Sequence, residues 1–568
     1  LSFAVGLFIV HGAIGLAFEQ RRPMVRTLRA LGVPLRALIA VMAAELLLLA
    51  LLAGAIGVAA GYVVAAALLP DVAATLRGLY GADVSGQLAL RPAWWLSGLG
   101  IAVAGTAVAA AGALWSLARM PLLASAQPRA WAMARGRGRQ ALLALGLLAV
   151  SALLALEGRG LIAGFAMLGA LLVGGALALP PLLGAALSLA QSRARAPAVQ
   201  WFWADTRQQL PGLSLALMAL LLAMTANVGV STMVSSFRLT FTGFLDQRLA
   251  SELYVSAQDA AQAAAIVATA TALADAVLPL QSVDRPVVGQ PAEIYGARDH
   301  ATYRDNWHLL RAVPGAWDAL ARGEGVLVNE QLFRRAGLDL GFPVAVTADL
   351  TLPVLGVYGD YGNPIGQVIL TEPLFRQHFP DVTALRFGLR VAPDRVPALR
   401  AALTERANVP GGAMIDQAAV KALSLAVFDR TFTVTAALNI LTLSVAGFAM
   451  LMSLLTLGAM RLPQLAPVWA LGLTRARLAT LDLVRAVVLA ALTGALALPL
   501  GLALAWALLA VVNVEAFGWR LPMHLFPLDY LRLGGFALLA AAGAALWPAW
   551  QLWRMPPARL LGVFRHER

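Results

Sequence analysis

The sequence contains no cysteine and little charge. Only 13% of its 568 residues are charged, whereas an average soluble domain has roughly 25%. The absence of cysteine excludes disulfides, thiolate metal sites, a cysteine nucleophile and thiol redox chemistry. The shortage of charge, combined with a hydrophobic fraction of 60%, indicates a membrane protein rather than a soluble one.

The sequence contains several long apolar runs. A helical run of about 17 residues or more can cross a hydrocarbon core roughly 30 Å thick. Nine apolar segments predict spans, at about 1–18, 39–69, 93–118, 141–156, 161–190, 211–235, 431–460, 479–513 and 533–553. The first has no basic leader and no small-residue cleavage site, so it is interpreted as a span rather than a signal peptide, and further sequence is expected before it.

The formal net charge of +13 belongs to the membrane part of the chain. Residues 236–430 hold 17 basic and 20 acidic side chains, which leaves 26 basic and 10 acidic residues for the rest. Arginines recur in the loops after every second span, as the positive-inside rule expects of cytoplasmic loops. This distribution predicts an extracytoplasmic segment at 236–430, a cytoplasmic C-terminus and no nucleic-acid binding.

The segment 236–430 has the pattern of a soluble α+β domain. Alternating apolar residues predict strands, and amphipathic patterns predict helices. The predicted strands are 252–256, 325–329, 343–347, 351–358 and 366–370, and the predicted helices are 259–277, 393–407 and 415–430. The last helix runs directly into the span at 431–460, so it is expected to act as a stalk.

The chain repeats itself. Residues 21–69 align without gaps with 461–509, and sixteen of the 49 positions are identical, including an Ala-Leu-Gly motif at 30–32 and 470–472. The following spans both end in Arg-Met-Pro, at 119–121 and 554–556. An internal repeat of this length predicts two copies of one structural module.

Three patterns together resemble the FtsX-like (MacB- and YbbP-type) ABC transporter permease superfamily in its ten-span, duplicated form. They are the Ala-Leu-Gly loops, the Arg-x-Pro endings, and the run GVLVNEQLFRRAGLDLGFPVAV followed by LPVLGVYGDYGNP within 325–364. The resemblance implies a polytopic α-helical membrane protein with two permease modules and one α+β extracytoplasmic domain. It also implies that the opening span of the first module lies before residue 1.

The resemblance implies the following division of the chain. Residues 1–125 are the first module, 126–210 a linker hairpin of two spans, 211–235 the first span of the second module, 236–430 the extracytoplasmic domain, and 431–568 the remaining three spans. The implied location is the bacterial inner membrane.

The implied function is that of a non-catalytic permease subunit. A cytoplasmic ATPase dimer would bind ATP and Mg, and the permease would transmit that motion to a lipid-like, lipidated or amphiphilic substrate outside the cytoplasm. A periplasmic accessory protein or enzyme is a further possible partner. Two alternatives stay open: a mechanotransmitting sensor or regulator for antimicrobial peptides or a cell-wall hydrolase, and an ATPase-independent secondary transporter.

The coupling loops are the predicted ATPase contacts, each with an amphipathic helix that fits a groove on an ATPase subunit. Individually, their arginines are also explained as positive-inside anchors. The predicted contact residues are Arg21, Arg22, Arg26, Arg29, Ala30, Leu31, Gly32 and Arg36 in the first copy, and Arg461, Ala470, Leu471, Gly472, Arg475 and Arg477 in the second. The family's usual R-x-x-E-I-G before this loop is replaced in both copies.

Three charged residues lie in or near apolar segments, where an unpaired charge costs several kcal/mol. Asp482 and Arg485 are three residues apart and are predicted to pair on one helix face. Glu45, which aligns with Arg485, is predicted to pair across the two halves.

No catalytic, nucleotide or metal site is predicted from the sequence. Lys421 lacks the glycine-rich loop of a phosphate site. The six histidines lack metal-ligand spacing.

Overall fold

The computed structural model describes residues 10, 14, 15, 17, 18, 21, 24, 25, 27–80, 91–118, 129–361, 363 and 365–556. They form two compact units. The helical unit contains the described residues of 1–233, 431–507 and 525–568, and the extracytoplasmic unit contains 234–430 and 508–524. The second unit therefore includes the loop before the last span as well as the segment predicted from the sequence.

Five long helices come first in the chain. After the helical residues described between 10 and 30, they are α1 (Leu35–Tyr80), α2 (Pro92–Ala118), α3 (Arg129–Glu157), α4 (Gly160–Arg193) and α5 (Pro197–Arg248). α5 is a single 52-residue helix that starts in the helical unit and ends in the extracytoplasmic unit. At 1.5 Å per residue it is about 78 Å long, far more than a bilayer requires.

The extracytoplasmic unit is built on a ten-stranded mixed sheet. Its elements in chain order are β1 (Leu253–Ser256), α6 (Ala260–Thr271), β2 (Ala276–Asp284), β3 (Ala292–Ala297), α7 (Ala301–Asn306), β4 (Leu309–Ala312), α8 (Ala316–Ala321), β5 (Val326–Asn329), α9 (Glu330–Arg335), β6 (Pro343–Ala345), β7 (Thr351–Tyr358), β8 (Gly366–Thr371), α10 (Glu372–His378), β9 (Arg386–Arg390), α11 (Val396–Ala407) and β10 (Met414–Asp416).

The strand order is β10-β1-β9-β2-β3-β8-β5-β7-β4, with β6 added on β7. The pairs β3–β8 and β5–β7 are parallel, and the other pairs are antiparallel. The predicted helix 259–277 is too long, because the chain leaves α6 after Thr271 and enters β2, which pairs with β9.

Two apolar cores stabilise this sheet. One contains Val328, Val368 and Phe375, and the other packs α6 and α11 against β1 and β9 through Ile266 and Leu403. Gly296 on β3 is required for the first core, because a Cβ there would lie 2.6 Å from the ring of Phe375.

The chain returns to the helical unit through α12 (Gln417–Ala470), a 54-residue helix that begins in the extracytoplasmic unit. α13 (Arg475–Ala507) follows, then a π-helical turn (Leu508–Val512), α14 (Asn513–Phe517) and α15 (Pro527–Arg554).

Among the described residues, seven helices are long and apolar enough to cross a membrane. They correspond to seven of the nine predicted segments. Of the remaining two, 1–18 lies largely outside the described residues, and 431–460 belongs to α12, where 440–455 is a shorter apolar stretch.

Candidate coupling turns and buried charges

The first Ala-Leu-Gly motif ends a helix in a Schellman turn. The amide of Val33 donates to the carbonyl of Leu28, and the amide of Gly32 donates to Arg29, at 3.0 and 3.1 Å. Gly32 has φ +92°, a left-handed conformation that glycine adopts without the strain of a Cβ. The motif therefore fixes a sharp turn before α1.

The second motif makes the same turn. The amide of Leu473 donates to the carbonyl of Val468 at 3.4 Å, the amide of Gly472 donates to Trp469 at 3.0 Å, and Gly472 has φ +104°. The residues before this turn belong to α12. The helix from the span continues without a break to Ala470, so the helical residues of this loop are the end of α12.

Each turn exposes one leucine. Leu31 is 76% exposed and Leu471 is 85% exposed, although both stand in loops that hold predicted contact arginines. An apolar side chain in this position gains free energy only if a partner covers it. The equivalent backbone and the equivalent exposure make the two leucines a matched pair of candidate contacts.

The predicted coupling arginines differ in their surroundings. Arg36 and Arg477 are exposed, Arg29 is partly buried, and the Arg475 guanidinium donates to the carbonyl of Met555 in α15. Ala30 and Ala470 are exposed at the helix ends. Arg22, Arg26 and the side chain of Arg461 lie outside the described residues.

Glu45 pairs within its own half. The Arg21 guanidinium donates two hydrogen bonds to the Glu45 carboxylate, at 2.5 and 2.8 Å, and both side chains are about two-fifths exposed. The predicted pairing across the two halves is wrong, since an arginine on the preceding helix lies within reach and presents a bidentate fork that matches the carboxylate.

Arg485 lies in a buried ion cluster. Its side chain is only 3% exposed, and it contacts Asp482 at 2.5 Å, as predicted, and Asp205 of α5 also at 2.5 Å. Its Nε donates to the hydroxyl of Thr206 at 3.1 Å. Asp205 additionally accepts a hydrogen bond from Gln209.

The two halves thus carry opposite charges, with different ion-pair partners, at one aligned position of the repeat. In the first half, Glu45 binds Arg21 of the preceding helix. In the second half, the aligned residues are Arg485 and Arg461, two cations that cannot form such a pair. Arg485 instead pairs with Asp482 of its own helix and with Asp205 of α5. The sequence did not indicate Asp205, because it precedes the apolar segment that starts at 211.

The segment 508–524, here called the return loop, packs on the extracytoplasmic domain. The amide of Arg520 donates to the carboxylate of Glu330 at 3.2 Å, and the Arg335 guanidinium donates to the carbonyl of Phe517 at 3.3 Å. These contacts join residues more than 180 positions apart, so the loop is held as part of the domain rather than as a free connection.

An aromatic cluster completes this contact. Trp519 is 6% exposed, stacks on Phe517 with ring centroids 5.1 Å apart, and meets Tyr361 edge-on at 6.1 Å. Phe244, in the last turns of α5, contacts Tyr361 from another direction. Burial, and then the charge of Glu330, raise the pKa of Tyr361 to about 12.

These features define a class: a multi-pass helical membrane protein with a duplicated module and an extracytoplasmic α+β domain. Residues 1–122 and 436–557 both match the FtsX-like permease C-terminal domain. Each copy of the repeat is therefore similar to an FtsX-like permease domain, and the two matched regions include both Ala-Leu-Gly turns.

One similar protein is an uncharacterized ABC transporter permease protein of Mycobacterium tuberculosis. It is 28% identical over 594 residues, which cover 98% of this chain and 68% of the relative. Two solved structures are also similar. The periplasmic region of MacB from Actinobacillus actinomycetemcomitans has 12% identity and a TM-score of 0.24, and the match covers 32% of this chain and 96% of that one. The extracellular domain of the noncanonic ABC-type transporter YknZ from Gram-positive bacteria has 11% identity and a TM-score of 0.22, with 29% and 98% covered.

Proposed function

We propose that the chain is a mechanotransmitting permease subunit. Two copies of a separate ATPase bind ATP and Mg, close on one another and draw the two Schellman turns together. The long helices pass this movement to the extracytoplasmic domain, which acts on a lipid-like, lipidated or amphiphilic substrate. In this arrangement both turns and the C-terminus are cytoplasmic.

The observation that carries this proposal is the matched pair of exposed leucines. Anchoring at the membrane surface requires arginines, but it does not require one solvent-exposed leucine on the same left-handed glycine turn in each half. A groove on each ATPase subunit that accepts an apolar side chain explains both turns at once.

The connections between the elements support the proposed transmission of movement along the long helices. α5 and α12 each run unbroken from one unit into the other. They are joined in the helical unit by a hydrogen bond from Thr442 to Asn227 at 3.3 Å, and in the extracytoplasmic unit by the ion pair of Lys421 with Asp246. The return loop adds a third connection, because it continues from α13 and leads to α15.

The test is co-purification of the chain with the ATPase encoded beside it, with both leucines changed to aspartate (Leu31→Asp with Leu471→Asp). Burying a leucine contributes about 2 kcal/mol, so each lost contact should weaken binding roughly 30-fold. The matched control is Leu31→Met with Leu471→Met, which keeps an apolar side chain and should keep both the complex and its ATP hydrolysis.

Full binding and hydrolysis in the aspartate variant would show that the turns are not the contact. A chain that binds no ATPase at all favours the secondary-transporter alternative. A complex that hydrolyses ATP only when a peptide or a cell-wall hydrolase is added favours the sensor or regulator.

A further inference from the structure

A cavity of about 600 Å³ lies in the helical unit between α5, α13 and α15. Its volume is within the range of roughly 300–1,000 Å³ that is typical of ligand sites. The lining includes Met224 and Val228 of α5, Gly494 of α13, and Gly534, Gly535 and Leu538 of α15.

Two adjacent glycines of α15, Gly534 and Gly535, line the cavity. A Cβ added at Gly534 or Gly535 would meet no atom within 4 Å, so the space that side chains would occupy is open. Glycine lowers helix stability by roughly 1 kcal/mol relative to alanine, and α15 has this cost twice in succession.

The chemistry of the lining is apolar. The one polar side chain among the lining residues is Tyr530, whose hydroxyl is already hydrogen-bonded to Thr232 at 3.0 Å. A polar ligand would lose its hydrogen bonds to water on entry and find few replacements. A hydrocarbon chain has no such loss.

The length of the cavity along α15 matches the thickness of one leaflet of the membrane. On α15 the lining extends from Pro527, the first residue of that helix, to Leu538. At 1.5 Å per residue this is about 16 Å, close to half of a hydrocarbon core roughly 30 Å thick. Because residues 508–524 belong to the extracytoplasmic unit, the cavity lies at the level of the outer leaflet, where phospholipid acyl chains are the surrounding solvent.

We propose that this cavity binds one acyl chain of an outer-leaflet phospholipid. The site itself depends only on the cavity and its depth, whereas the role of the bound lipid as cargo rests on the proposed function. The phospholipid is then the substrate class that the second permease module presents to the extracytoplasmic domain.

The test is photolabelling of the full chain in vesicles of phosphatidylethanolamine and phosphatidylglycerol that contain a phospholipid with a diazirine in its acyl chain. Wild-type protein should be labelled on the lining segments of α5, α13 and α15. Gly534→Leu fills the cavity and should reduce this labelling at least several-fold, and Gly534→Ala should reduce it partly.

The matched control is Gly543→Leu on the same helix. A Cβ at Gly543 also meets no atom within 4 Å, and Gly543 is not among the lining residues, so labelling should stay at the wild-type level. Unchanged labelling in Gly534→Leu, or wild-type labelling confined to lipid-facing surfaces outside the cavity, overturns the proposal. Labelling that depends on Gly534 in a chain that binds no ATPase supports the site and contradicts the proposed function.

Discussion

The two ion pairs of the helical unit differ in burial, and burial determines how much each pair matters for stability. Arg21 and Glu45 are each about two-fifths exposed, and pairs of that exposure are worth roughly 0–1 kcal/mol. Arg485 and Asp205 are almost fully buried. Removing one member of a buried pair leaves an uncompensated charge, which costs about 3–5 kcal/mol.

Arg485→Met is therefore expected to destabilise the helical unit by about 3–5 kcal/mol, whereas the matched change Arg21→Met should cost roughly 1 kcal/mol or less. Thermal unfolding of both variants in the same detergent measures the difference. Adding Asp205→Asn to Arg485→Met should restore part of the loss, since the orphaned carboxylate is removed. Equal destabilisation by the two arginine variants would show that the buried cluster contributes no more to stability than the exposed pair.

The sequence indicated Asp482 and Arg485 because they interrupt an apolar segment, and their spacing predicted the local pair. It did not indicate Asp205, since a carboxylate among Phe202, Trp203 and Gln209 is typical of an amphipathic membrane boundary. The contact that makes Asp205 important joins it to a residue 280 positions away, and no local pattern encodes such a separation.

At the scale of elements, the strands that local pattern could predict were those with strong apolar runs, such as β5, β7 and β8. The sequence did not predict β2, β3, β4, β9 or β10. β2 has Pro279 and Gln281 within it, and its stability depends on pairing with β9 more than 100 residues later. The same dependence on distant partners explains why the return loop was not assigned to the extracytoplasmic domain.

The return loop contributes Trp519 to the aromatic contacts of Tyr361. In the folded protein, burial is the main cause that raises the pKa of the Tyr361 phenol from the ordinary value of 10.0 to about 12. The neutral phenol therefore contributes stability that is complete below pH 10 and is lost as the pH rises through about 12. Trp519→Ala uncovers the ring and should lower the pKa toward its ordinary value.

Absorbance titration of tyrosinate measures this, with Tyr361→Phe identifying the contribution of this residue among the eight tyrosines. Trp115→Ala is the control, because that tryptophan is 62% exposed in α2, and it should leave the Tyr361 titration unchanged. A pKa unaffected by Trp519→Ala would mean that other neighbours bury the ring.

At the scale of the whole molecule, orientation is the property on which the proposed mechanism depends. The coupling turns must be cytoplasmic and the sheet domain extracytoplasmic. The absence of cysteine makes this directly testable, since any introduced cysteine is the sole thiol in the chain.

Phe342→Cys, at a half-exposed position in the sheet domain, should react with a membrane-impermeant maleimide applied to cells whose inner membrane is intact. Leu471→Cys should react only after the membrane is permeabilised, although its side chain is exposed. Labelling of Leu471→Cys in intact cells would invert the topology and remove the basis for ATPase coupling.

The unbroken helices α5 and α12 also restrict how this chain can vary in length. Inserting one residue in an α-helix turns everything beyond it by about 100° and advances it by 1.5 Å. Because both helices enter the same sheet domain, a single insertion in either one puts them out of phase with each other, while substitutions leave the phase intact. Seven residues added to both restore the phase to within about 20°. A chimera that takes its sheet domain from a relative therefore has to preserve the rotational phase of both helices. Its junctions have to be placed so that the number of helical turns is kept in both helices.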